Sequence, residues 1–105
     1  MFKTDTEIKE TDSFLMTIVR VQGDVDFYSS QILKDRVYLL VEQGKKHIFL
    51  DLKQVKFIDS AGLGVLIQLI KLSKQKEGSL SLLHVQKNVL NLIQLTELHK
   101  IIPIF

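Results

Sequence analysis

Ser60 stands among small and acidic neighbours in the run Asp59-Ser60-Ala61-Gly62-Leu63-Gly64. Upstream, Ile48-Phe49-Leu50-Asp51-Leu52 reads as a buried strand and Val55-Lys56-Phe57-Ile58 as a second extended piece. Downstream, Leu63 to Leu72 carries apolar residues at helical spacing. A serine at a strand-to-helix turn presents its hydroxyl at the positive end of a helix, where backbone N–H groups lack intrahelical partners. Such a hydroxyl can cap the helix, attack a substrate, help to cradle a phosphate, or receive one.

The plainest chemistry is structural. Ser60 would cap the helix, contributing about 1 kcal/mol, while Gly62 and Gly64 permit close helix–strand packing. A nucleophilic serine on a hydrolase elbow needs Gly-x-Ser-x-Gly, and position 58 is Ile. It also needs a general base, yet His47, His84 and His99 are far apart in sequence and no His–Asp pair is evident. A phosphate-binding loop needs a lysine and a serine or threonine after the second glycine, where Val65-Leu66 follow Gly64. A further reading treats Ser60 as a substrate on which another protein acts.

The surrounding elements must hold this turn in place. The first twelve residues read as an edge strand or a loose terminus, and Phe14 to Val21 as a strand rich in β-branched residues. Gly23-Asp24-Val25-Asp26 is a turn, and Ser29 or Ser30 is expected to cap a helix whose buried stripe is Ile32, Leu33, Val37, Leu40 and Val41. Gly44 closes that helix. The pattern then repeats. His47 to Leu52 is a strand, Ser60 begins a helix that Gly78 ends, and Ser79 to His84 is a strand. Asn88 is expected to cap a last helix carrying Val89, Leu92, Ile93 and Leu95, before a short extended end at Ile101 to Phe105. This alternation predicts a single α/β domain over residues 1–105, with a mixed sheet of about four to five strands and right-handed crossovers.

Composition narrows the function classes. Apolar residues make up 46% and charged residues 25% of the 105, as in an ordinary soluble globular domain. The net charge of +2 is mild, and Lys45, Lys46, Lys53, Lys56, Lys71, Lys74 and Lys76 are spread out, so no direct nucleic-acid contact is expected. Without cysteine there is neither disulfide nor thiolate chemistry. The polar start is no signal peptide and no apolar run reaches a membrane-spanning length, so a cytoplasmic protein without membrane contact is expected.

Three segments together resemble the signature of the STAS domain, and more narrowly that of the bacterial anti-sigma factor antagonists. They are Gly23-Asp24-Val25-Asp26, Ile48-Phe49-Leu50-Asp51-Leu52 and Phe57-Ile58-Asp59-Ser60-Ala61-Gly62-Leu63-Gly64. The likeness runs from about Phe14 to Phe105. Family members usually continue past the last strand into another helix, whereas this sequence ends at Phe105. The resemblance implies a STAS-like fold and a protein that is not an enzyme and carries no cofactor. Its Ser60 would be phosphorylated by a partner that is both anti-sigma factor and serine kinase, and a separate serine phosphatase would reset it. Asp59 and the loop ending at Asp26 would lie beside Ser60, with Ala61, Gly62 and Gly64 completing the switch segment. A monomer or dimer is expected. The alternatives are a STAS scaffold subunit in a stress-sensing or lipid-transport complex, and a small nucleotide-binding or hydrolytic protein.

A phosphate on Ser60 would bring about −1.5 to −2 charges at neutral pH. The helix end favours it by about 0.3–2 kcal/mol, while a carboxylate about 4 Å away opposes it by about 4 kcal/mol at an effective dielectric near 20. A solvent-facing phosphate and an unchanged fold are therefore expected. The helix after Ser60 carries one stripe of Leu63, Leu66, Ile67 and Ile70 and a second of Val65, Leu69 and Leu72. The second stripe either packs on a neighbouring helix or forms a docking face for a partner.

Overall fold

Strand-forming runs rich in Val, Ile and Leu pair into one four-stranded sheet in the computed structural model of the chain, which describes residues 2–10 and 15–105. The elements follow in the order β1 (Lys3–Glu10), β2 (Leu15–Gln22), α1 (Phe27–Glu42), β3 (His47–Gln54), α2 (Ser60–Gln75), β4 (Ser79–Leu83) and α3 (Lys87–Leu95). A 3-10 turn at Leu98–Lys100 comes last. The strand order is β1-β2-β3-β4, with β1 antiparallel to β2 and the other pairs parallel. The N-terminal segment thus takes the edge-strand alternative, while Phe14, expected to open β2, lies outside the described residues.

Parallel strands added one after another through right-handed crossovers place their helices on a single face. β3 records the consequence: Ile48, Leu50 and Leu52 are buried, and His47, Phe49 and Asp51 between them are half-buried on the other face. The core lies between that helix-bearing face, where Val19, Val21, Leu50 and Leu82 point, and the helices, which supply Leu33, Val37, Leu66, Leu69 and Ile93.

Several local expectations change. α1 starts at Phe27, because Asp26 caps it in place of Ser29 or Ser30, three or four residues earlier. Ile32 is 56% exposed and leaves the buried stripe to Leu33, Val37, Leu40 and Val41. Gly44 does close α1: its N–H bonds the Val41 carbonyl, the Lys45 N–H bonds the Leu40 carbonyl, and its φ is +88°. At the end of α2 the left-handed residue is Glu77 (φ 59°), with Gly78 one place beyond. Gly78 is needed for another reason, since a Cβ there would lie 2.3 Å from the Lys46 carbonyl oxygen.

Both apolar stripes of α2 face protein. Leu63, Leu66 and Ile70 are buried, but so are Val65 and Leu69, with α1 packed alongside. Leu72 is half-buried against the same core. Val65 and Leu69 are enclosed between elements and offer no surface to a partner, so of the expected docking stripe only the half-buried Leu72 reaches solvent. Ile67, expected in the core, is 37% exposed.

Asn88 does not cap α3; it lies in the first turn and donates its side-chain amide to the Lys56 carbonyl at 2.6 Å. Leu95 is 81% exposed, whereas Val89 and Ile93 are buried. β4 stops before His84, which turns to a φ of 55°. The expected C-terminal extended piece appears as a single parallel bridge between Ile104 and Leu82.

Candidate functional site

Two chain segments cross side by side where β2 and β3 give way to helices. Of the extended piece expected at Val55–Ile58, only Ile58 pairs, in an isolated parallel bridge to Val25. The Val25 N–H donates to the Phe57 carbonyl (3.0 Å), and the Asp59 N–H donates to the Val25 carbonyl (3.1 Å). Val25 and Ile58 are both buried, which anchors the crossing apolar side down. In each segment the next residue is an aspartate that caps a helix, Asp26 for α1 and Asp59 for α2. The crossing therefore sets two helix N-termini next to one another.

The first terminus is closed. Asp26 Oδ1 accepts from the Tyr28 N–H (3.0 Å) and the Ser29 N–H (2.9 Å). The Ser29 hydroxyl in return accepts from the Asp26 N–H (2.9 Å), and its one proton is shared between the Asp24 carbonyl oxygen (2.6 Å) and Asp26 Oδ1 (3.0 Å). This is a reciprocal capping box. Hydrogen bonds from the Ser29 N–H, above all, and from its hydroxyl hold the Asp26 carboxyl below the usual carboxylate range, against a weaker push upward from burial.

The second terminus is open. Among the described residues, Asp59 Oδ1 accepts from the Gly62 N–H alone, at 2.9 Å. Ser60 is not the cap, as the plain reading had it, but the first helical residue. Its side chain is exposed, and among the described residues no hydrogen bond engages its hydroxyl. Gly62 fits only as glycine, because a Cβ there would lie 2.7 Å from both Ile58 Cγ2 and the Val25 carbonyl oxygen. Gly64 has no such constraint, since a Cβ added there would meet nothing within 4 Å. Ala61, between Ser60 and Gly62, is half-buried.

Around the paired termini stand three aromatic side chains that sequence reasoning did not select. Phe57 is 51% exposed, Phe27 62% and Tyr28 79%, the last two in edge-to-face contact at 5.3 Å. Placing the start of α1 at Ser29 or Ser30 hid them in a turn; an aspartate cap at Asp26 would have put both on the first helical turn. The histidines lie elsewhere. His47 Nδ1 is 3.0 Å from Ser79 Oγ, His84 Nδ1 is 3.2 Å from Asp51 Oδ1, and His99 is in the 3-10 turn. Among the described residues no helix is long and apolar enough to cross a membrane.

The family model of the STAS domain matches residues 5–105, which takes in most of β1 as well as the three signature segments. The chain belongs to the STAS domain family. Among its STAS relatives, the anti-sigma-B factor antagonist of Bacillus subtilis (strain 168) is 32% identical over 100 residues, covering 95% of this chain and 89% of the relative. The crystal structure of TM1081 from Thermotoga maritima superposes with a TM-score of 0.82 at 26% identity, over 94% of this chain and 84% of that one. SpoIIAA of Bacillus shares the fold in its phosphorylated form, with a TM-score of 0.68 at 17% identity over 96% of this chain and 91% of that one. These STAS relatives are named as regulators that antagonise anti-sigma factors, not as enzymes.

Proposed function

We propose that this STAS domain is an anti-sigma factor antagonist that works by partner exchange, with Ser60 as its phosphoacceptor. Unphosphorylated, it binds an anti-sigma factor that is also a serine kinase, and a sigma factor is set free. Phosphorylation of Ser60 releases the kinase, and a serine phosphatase restores the first state. ATP chemistry belongs to the kinase, and this chain contributes the hydroxyl.

One observation carries the reading: Ser60 is exposed at the first position of α2 with a hydroxyl that nothing in the described chain engages. A hydroxyl that closes a cap, as Ser29 does, is occupied; this one is available. The names of the relatives support the reading, and so does the existence of SpoIIAA in phosphorylated and unphosphorylated forms. The exposed Phe27, Tyr28 and Phe57 supply what a docking surface needs beside the reacting group, namely rigid apolar area with modest entropy to lose. They take the place of the enclosed Val65 and Leu69 as the partner-facing residues.

Incubation with an anti-sigma kinase from the same organism and ATP, read by intact-mass spectrometry, tests the site. The wild type is expected to gain one phosphate per chain, and Ser60→Ala to gain none while still binding the kinase. Stoichiometric labelling of Ser60→Ala would overturn the assignment.

A further inference from the structure

At the carboxyl ends of β2, β3 and β4, on the sheet face that carries no helix, the structure forms a basin of about 630 Å³. That volume falls within the roughly 300–1,000 Å³ of small-molecule sites. The strand register explains its lining. Asp5, Arg20 and Asp51 form one row across β1, β2 and β3, and Lys3, Gln22 and Gln54 form the next. Between these rows β3 has one residue more than β2, since Arg20 pairs with Asp51 but Gln22 with Gln54. This bulge breaks the alternation of faces, so that Asp51, Lys53 and Gln54 all line the basin.

The two rows differ in charge balance. In the first, the Arg20 guanidinium pairs with Glu7 and lies 3.8 Å from Asp5. Asp51 Oδ1 accepts from the Lys53 N–H (3.0 Å) and sits 3.2 Å from His84 Nδ1. Those carboxylates are therefore already engaged. In the second row Lys3 stands with the amides of Gln22 and Gln54, and Lys53 lies in the bulge beside it; the ammonium groups of Lys3 and Lys53 have no carboxylate within ion-pair distance among the described residues. His84, held at a φ of 55°, closes the far wall.

We infer that this basin binds a small organic or inorganic anion bearing a carboxylate or phosphate group. The anionic oxygens sit between Lys3 and Lys53, where charge-assisted hydrogen bonds are available from both ammonium groups. Gln22 and Gln54 supply neutral donors and acceptors to the rest of the molecule. The site is separate from Ser60 and does not depend on its phosphorylation.

Titration of the nitrogen-15-labelled protein with inorganic phosphate and, separately, with succinate, at fixed pH and ionic strength, tests this. At least one probe is expected to give saturable shifts at the amides of Gln22, Lys53, Gln54 and His84. In the doubly substituted protein carrying Lys3→Gln and Lys53→Gln, binding should weaken roughly tenfold or more, with an unchanged thermal midpoint showing that the fold is intact. Saturation by phosphate alone assigns a phosphate ligand, and by succinate alone a carboxylate. Linear shifts with both probes, saturable shifts centred instead on Ser60 to Leu63, or equal affinity of the substituted protein would overturn the inference.

Discussion

The N-termini of α1 and α2 are built from the same parts and end in opposite states. Each follows one residue of the Val25–Ile58 bridge, each is capped by an aspartate, and each carries a serine in its first turn. In α1 the serine is the third helical residue, close enough to return a hydrogen bond to its cap, and Ser29 is buried there. In α2 the third residue is Gly62, and the serine stands first, pointing to solvent. Two positions along a helix thus separate a structural hydroxyl from an available one. The geometry of the capping box is the cause, since only the third residue can reach back to the cap's N–H.

Placing charge at the open terminus should have the largest effect. Ser60→Asp is expected to keep its circular dichroism spectrum yet lose roughly thirtyfold to several-thousandfold in affinity for the anti-sigma kinase, the cost of about 2–5 kcal/mol for an uncompensated charge in an interface. Calorimetric titration beside Ser60→Ala checks it. Equal affinities for the two variants would remove the charge mechanism.

The two glycines of α2 sharpen the comparison at the next level. Gly62→Ala forces a Cβ against the Val25 carbonyl and Ile58, and should cost about 1–3 kcal/mol in urea unfolding. Gly64→Ala meets open space within the helix and should stabilise by about 0.4–1 kcal/mol. Opposite signs are expected two residues apart. The same sign for both would mean that the crossing is looser than the packing of Gly62 implies.

The caps themselves should differ more modestly. Asp26→Ala removes two N–H contacts and the box, and should lie near the upper end of the roughly 0.5–2 kcal/mol range, with Asp59→Ala nearer the lower. Chemical denaturation of both variants ranks them.

The smallest effect is a pH dependence. Because the folded Asp26 carboxyl is held below its ordinary value, the unfolded chain binds its proton more readily and stability rises with pH through that region. The contribution is fully present above the unfolded value near about 4 and fades as pH falls through the folded one. Asp26→Asn keeps a capping oxygen without the titration, so its stability should fall less steeply in acid than that of the wild type. Parallel limbs for the two proteins would exclude Asp26 as a contributor.

Much of this was legible in the residues. Runs such as Ile48 to Leu52 alternate buried and half-buried side chains as a strand period of two requires, and Leu63 to Leu72 keeps the helical period. The Asp59 to Gly64 run marked the helix start at which an exposed serine now sits. Less legible were the helix ends, where Asp26, Ser29 and Ser30 are all competent caps by residue type. Choosing among them takes the hydrogen bonds that the bridge at Val25 imposes. Gly62 and Gly64 look interchangeable in sequence, and only the approach of Val25 and Ile58 tells them apart.

By itself, then, the sequence determined the alternation of strands and helices, the STAS signature, and a serine at the start of α2. Local periodicity and residue chemistry suffice for those. The tertiary structure decided that Val65 and Leu69 belong to the core, that Phe27, Tyr28 and Phe57 are left exposed near the two helix starts, and that Lys3 and Lys53 share a basin. Each of these depends on which distant segment covers a side chain, and a one-dimensional pattern records faces of an element but not what lies against them.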